Sequence, residues 1–206
     1  MIDEYCDAHT TPHDDALNQV YRSIYLHTPL PHISSTPFQG RLLSMLVALA
    51  KPKVAVELGV FGAYSTIAIA RSLPEGAQLH AVEAEEEYEQ MIRRHLHIAG
   101  VDDKVRLYFQ PASEAIPHLP DNIDFAFVDA DKLNYQRYFT DLLPKMSRVG
   151  LMLFDNVLWY GKVASDDCRD ATTVHLRQLN EMIHADPRVE NLLLPVRDGI
   201  MLCRVL

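Results

Sequence analysis

The run FAFV, residues 125–128, reads as a buried strand, and Asp129, Asp131 and Lys132 follow it within four positions. Carboxylates are costly to bury unless something pairs with them or binds to them. A second acid of this kind, Asp155, ends the apolar run LMLF (151–154) and is followed by Asn156. Asp129, Asp155 and Asn156 offer only oxygen donors, a set that suits Mg²⁺, Ca²⁺ or Mn²⁺ better than zinc. Taken alone, Asp155-Asn156 is also an ordinary Asx turn after a strand. The coincidence with Asp129 at a parallel strand end favours the metal.

Two more acids stand at strand ends. Glu57 opens ELGVFGAYS (57–65), and Glu83 lies 26 residues later at the end of LHAVE. Gly59 and Gly62 fall between a strand and a helix, where a ligand can approach the backbone closely. The spacing is not GxGxxG, and no P-loop lysine follows. Glu83 is placed to accept both hydroxyls of a ribose, which points to a nucleoside-containing cofactor. The alternative is a solvated acid opening the helix EAEEEYEQ, where the dipole favours negative charge. That alternative accounts for Glu85 to Glu87 and fits Glu83 less well.

These residues need strands to carry them. VAVEL (54–58), LHAVE (79–83), VRLYF (105–109), IDFAFV (123–128) and LMLFD (151–155) alternate with helical patterns such as 63–73 and 85–99. Such alternation implies crossover units and a mainly parallel sheet, with ligands beyond the carboxyl ends of its strands. Ahead of it, residues 1–13 read as a mobile or loosely docked arm and 14–27 as a helix. A second helix starts at Ser35-Thr36-Pro37 and runs to Ala50. Behind it, a helix over 172–185 precedes strands near 189–195 and 200–206, and Arg197-Asp198-Gly199 between them is a hairpin signal. The expectation is an α/β fold: a mainly parallel sheet with a C-terminal antiparallel hairpin and helices on both faces. One domain spans 1–206, with 1–34 as arm and helix and 35–206 as core.

The 206-residue length suits one domain with a substantial core. A formal net charge of −9 argues against wide nonspecific contact with nucleic acid or an anionic membrane. No apolar run approaches the roughly 18 residues of a membrane span. The acidic N-terminus does not resemble a secretory signal. Cys6, Cys168 and Cys203 form neither a disulfide framework nor a CxxC site, and the expectation is a reducing cytoplasm.

The segments ELGVFGAYS, FVDADKLNY and DNVLWYGKV, in this order and at these separations, resemble the metal-dependent class I O-methyltransferases. The nearest likeness is to the caffeoyl-CoA O-methyltransferase group and its small bacterial members, with catechol O-methyltransferase more distant. It covers residues 33–206. The resemblance implies a Rossmann-like methyltransferase sheet, S-adenosylmethionine as cofactor and a homodimer. It assigns Ser35, Glu57, Gly59, Ser65, Glu83, Ala112 and Asp131 to the cofactor and Asp129, Asp155 and Asn156 to a divalent metal, Mg²⁺ ahead of Ca²⁺ or Mn²⁺. Lys132 matches the general base of catechol-type members; its plainer reading is a solvated lysine at a helix start. Trp159 and Tyr160 either flank an aromatic acceptor or, for Trp159, pack as core or lid.

Two departures stand out. The family loop carries Thr-Gly where this chain has Gly62-Ala63, so Ala63 is strained if that position needs positive φ. Tyr160 replaces an asparagine that contacts the acceptor in the plant enzymes. The resemblance implies methylation of a catechol-like vicinal hydroxyl on a small hydroxylated aromatic. The alternative acceptor is a hydroxylated uridine in tRNA, for which Arg41, Lys51, Lys53, Arg93 and Arg94 form a candidate basic patch. A nicotinamide dehydrogenase is disfavoured by the missing GxGxxG. A binding protein without turnover is disfavoured by the complete ligand set and Lys132.

Overall fold

The computed structural model describes residues 2–206. Five apolar runs form parallel strands: β1 (Val54–Leu58), β2 (Gln78–Glu83), β3 (Val105–Phe109), β4 (Ile123–Val128) and β5 (Met146–Asp155). With β6 (Val189–Leu194) and β7 (Ile200–Val205) they make one sheet in the order β3-β2-β1-β4-β5-β7-β6. β7 runs antiparallel to both neighbours, as the Asp-Gly signal requires. The order reverses between β1 and β4, so a crevice opens beyond their carboxyl ends.

Helices cover both faces: α1 (Ile2–Ala8), α2 (Asp15–His27), α3 (Pro37–Ala50), α4 (Tyr64–Ser72), α5 (Glu89–Ala99), α6 (Ala112–Ala115), α7 (Tyr135–Leu142) and α8 (Ala171–Ala185). Alternate residues of each strand face opposite layers. Phe125 and Phe127 of β4 join a core with Leu17, Ile24, Leu43 and Ile67 of α2 to α4. Ala126 and Val128 join the other, with Phe139 of α7 and Leu176 of α8. The helix starts follow local chemistry. Asp14 accepts from the Leu17 amide to cap α2, and Thr36 accepts from the Gln39 amide beside Pro37 to cap α3.

Three expectations need correction. The arm is not loose over its docked end: Arg41 donates from Nε to the Thr11 carbonyl (3.0 Å) and from Nη2 to that of Pro12 (2.8 Å). Residues 2–8 are helical, and Met1 lies outside the described residues. β5 begins at Met146, five residues before the apolar run, through a bulge with Val149 at φ +63° and a register shift opposite Ile123 and Phe125. The stretch 85–99 is split, with a 3₁₀ turn at Glu86–Tyr88 leading into α5.

The loop after β1 carries the departure seen in the sequence. Ala63 adopts φ +63°, ψ +19°, the left-handed conformation that costs a residue with Cβ roughly 1–2 kcal/mol. Its neighbour is a glycine for a different reason. A Cβ on Gly62 would lie 2.4 Å from Cδ1 of buried Ile24 in α2. His95 of α5 completes the clamp, its Nδ1 bonded to the Gly62 carbonyl and its Nε2 to Ser23 Oγ, both at 2.9 Å. Ala63→Gly should therefore raise stability by about 0.5–1 kcal/mol, net of the extra freedom glycine gives the unfolded chain. Gly62→Ala should lower it by about 1–3 kcal/mol through overpacking. Urea unfolding of both variants reads the signs, and a destabilised Ala63→Gly protein would contradict the strain.

Candidate active site

Strand register sets the site. Leu58 pairs with Val82 and with Val128, and Val128 pairs with Phe154. The next residues along, Gly59, Glu83, Asp129 and Asp155, therefore stand at one level across four adjacent strands. They border a cavity of about 740 Å³, which also receives Ser35, Ser65, Ala112, Asp131, Lys132 and Asn156. Ten of the eleven residues expected at the site thus share one cavity. Gly59 cannot be replaced, because at φ +92° a Cβ would lie 2.0 Å from the Asp129 carbonyl oxygen.

Each acid is handled differently. Glu83 is buried, so it is not a solvated helix opener. Its Oε2 accepts from the amides of Val60 (3.0 Å) and Phe61 (2.7 Å), and its Oε1 from that of Glu85 (2.9 Å). It staples the glycine loop and still has lone pairs for a ligand. Asp129 is paired with Lys132, whose Nζ donates to Oδ1 at 2.6 Å and to the Tyr135 hydroxyl at 2.8 Å. Both side chains are more than four-fifths buried, so this is not a solvated lysine. Asp131 accepts from the Tyr138 hydroxyl and the Asn134 amide.

Asp155 is the most enclosed of the candidate metal ligands, at 2% exposure. Its Oδ2 accepts from Gln39 Nε2 (2.5 Å) and its Oδ1 from the Asn156 amide (2.8 Å). Burial first and the Asp129 charge second hold its carboxyl well above the usual carboxylate range. Asn156 turns out of the strand at φ +60°, a conformation asparagine tolerates.

Glu57 departs from expectation. It lies at 0% exposure under the cavity and not on its lining, two residues before the level of the other acids. Neither oxygen has a well-formed hydrogen bond among the described residues. The hydroxyls of Ser65 and Thr66 lie near enough only to ease its charge, and burial pushes its pKa up to about 8. An orphaned buried carboxyl of this kind is expected where a cationic ligand group has yet to arrive.

The residues present fit both expected groups. Asp129, Asp155 and Asn156 supply hard oxygen donors on one cavity wall, as a divalent cation needs. Among the described residues no three His, Cys, Asp or Glu side chains cluster as a metal centre, so a cation here would need the Asn156 amide oxygen as a third donor. Glu83 supplies a carboxylate on the lining for a sulfonium nucleoside to meet, with buried Glu57 beneath it. Trp159 is half-buried against the core, and Tyr160 stands 80% exposed at the rim. Sequence reasoning missed Gln39 and Arg197. A glutamine on the apolar face of a capped helix was the only signal for Gln39, and Arg197 was hidden as a turn residue. The candidate basic patch does not form at the site. Lys51 and Lys53 lie before β1, at the far end of the strand, while Arg41 holds the arm and Arg93 pairs with Glu89.

This strand order, with its antiparallel end and its acids beside the switch point, defines a Rossmann-like methyltransferase fold. Comparison with known proteins agrees. A flavonoid 3',5'-methyltransferase of Vitis vinifera is 38% identical over 179 residues, 81% of this chain and 76% of that one. A caffeoyl-CoA O-methyltransferase of Stellaria longipes is 34% identical over 187 residues, 85% of this chain and 78% of that one. The O-methyltransferase TomG of Streptomyces achromogenes, solved with S-adenosylmethionine, superposes with a TM-score of 0.91 at 29% identity, covering 99% and 95% of the two chains. The O-methyltransferase family model matches residues 7–206, and the chain belongs to that family, an enzyme of the kind its sequence motifs implied.

Glu57 gives a pH signature. Its carboxyl titrates at about 8 in the folded protein against 4.5 when unperturbed. Between those values the folded protein holds a proton the unfolded chain has released, so stability falls as pH rises across the window. Glu57→Gln should therefore melt higher than the wild type at about pH 8, with the gap closing towards about pH 5. Identical pH dependence of ligand-free melting in the two proteins would refute the buried carboxyl.

Proposed function

We propose that the enzyme transfers the methyl group of S-adenosylmethionine to one hydroxyl of a vicinal dihydroxy aromatic, with a divalent cation, Mg²⁺ first, held by Asp129, Asp155 and Asn156. The observation that carries this is that those three oxygen donors line one cavity, with the orphaned Glu57 buried beneath it. Two curated relatives bear the names of flavonoid and caffeoyl-CoA methyltransferases, and TomG was solved with S-adenosylmethionine.

In this proposal Ser35, Gly59, Ser65, Glu83, Ala112 and Asp131 hold the cofactor, and Glu57 supports its charge from beneath. The cofactor supplies a methyl already activated as a sulfonium. The cation supplies charge that lowers the pKa of a hydroxyl beside it. Lys132, with Nζ 2.6 Å from Asp129 Oδ1, is the base that takes the hydroxyl proton. The acceptor ring rests against Trp159 and Tyr160, whose rings already touch at 5.6 Å between centroids, and much of the rate comes from holding oxygen and methyl in line. No observation favours hydroxylated tRNA. The cavity presents six acids, Glu83, Glu85, Asp129, Asp131, Asp155 and Asp198, against Lys132 and Arg197 as its Lys and Arg cations. The proposal includes a homodimer, which light scattering would read. It also includes a cytoplasmic site of action, in keeping with the free thiols of Cys6, Cys168 and Cys203. No helix among the described residues is long and apolar enough to cross a membrane.

The direct test is transfer of labelled methyl from S-adenosylmethionine to caffeic acid, with Mg²⁺ or with chelator. Transfer should need the metal and vanish in Asp155→Ala. Lys132→Met should lower kcat by about 10²–10⁴-fold while cofactor binding persists. Chelator-resistant transfer would remove the metal from the mechanism, and a Lys132→Met enzyme at full rate would remove the base.

A further inference from the structure

Gln39 lies on α3, 116 residues from Asp155 in sequence, and is 0% exposed. Its two amide atoms do opposite work. Nε2 donates to Asp155 Oδ2 at 2.5 Å, and Oε1 accepts from Arg197 Nη1 at 3.1 Å. The carboxylate on one side and the guanidinium on the other fix which way the amide faces. Arg197 also donates from Nη1 to the Ser34 carbonyl at 3.3 Å, next to Ser35 of the cavity wall. A chain of bonds therefore runs from the hairpin turn, through a helix side chain, to the carboxyl at the end of β5.

We infer that Gln39 is a positioning residue for the metal site: it sets the rotation of the Asp155 carboxylate, and Arg197 acts through it as a brace. The inference rests on the proposal that Asp155 ligates a divalent cation. Asp155 is held on Oδ1 by the Asn156 amide and on Oδ2 by Gln39, so its outward lone pairs point one way before a cation binds. No water replaces a lost partner easily where both side chains are this buried. Only a side chain that is neutral, with a donor at one tip and an acceptor at the other, meets both neighbours. A carboxylate would repel Asp155, and an apolar side chain would strand both Asp155 and Arg197.

The test measures binding and not turnover. Mn²⁺ affinity is read by electron paramagnetic resonance, and S-adenosylhomocysteine affinity by calorimetry, in wild type, Gln39→Met, Arg197→Met and the double variant. Partners of this kind change metal affinity by about 10–100-fold, and that loss is expected for Gln39→Met, with cofactor affinity kept within about threefold. Arg197→Met should lose less, and the double variant should be no worse than Gln39→Met, because Arg197 acts through the glutamine. If Gln39→Met misfolds, Arg197→Met carries the same test by losing Mn²⁺ affinity selectively. Unchanged Mn²⁺ affinity in Gln39→Met, additive losses, or equal losses of metal and cofactor would overturn the inference and leave the metal site standing. A wild-type protein that binds the cofactor and no Mn²⁺ would overturn both.

Discussion

Parallel register brings Glu83, Asp129 and Asp155 to one level of the sheet with Glu57 just beneath, and like charges held close on buried side chains repel. Much of the local structure answers that repulsion. Glu83 accepts from three backbone amides, two of them in the loop after β1. Asp129 takes the ammonium of Lys132. Asp155 receives an amide from α3 and one from its own turn. Glu57 has no such partner, and burial raises its pKa to about 8. The site is charged at positions where a ligand cation would replace a proton or an ammonium.

The backbone accepts strain to let these groups meet. Gly59 gives up its side chain so that the β4 carbonyl can pass, and Ala63 takes a left-handed conformation so that α4 starts in time. His95 and Ile24 then clamp the same loop from α5 and α2. Helices α2 and α5 are thus structural partners of the loop after β1. A local cost of this size persists because the surrounding contacts over-determine the conformation.

What the sequence revealed follows from the range of each interaction. Strand ends were legible because continuous apolar runs stop sharply, so Glu83, Asp129 and Asp155 could be placed at one edge of the sheet before any coordinates. Helix starts were legible because Asp14 and Thr36 act on amides three residues away. Gln39 and Arg197 were not, since their partners lie 116 and 158 residues off and a lone Gln or a turn Arg carries no pattern. Arg41 misled for the same reason: its partners are backbone carbonyls, which every residue possesses. The extra turn of β5 was hidden by MSRVG, whose polar residues enter the sheet through a bulge.

In the proposed reaction the division between strand ends and rim also separates chemistry from acceptor choice. The carboxylates and Lys132 sit where ladder hydrogen bonds and buried side chains fix them. The rim is built from turns: Ile33 is half-exposed before α3, and Trp159 and Tyr160 follow β5 at φ +49° and +56°. Tyr160 is tied by its own amide to Asp198 of the hairpin, so its ring is free to project into solvent. A substitution there changes the wall an aromatic ring would meet and leaves every buried acid with the partner it already has. Loops on a rigid scaffold allow that kind of change, and here the scaffold edge is the row of acids itself.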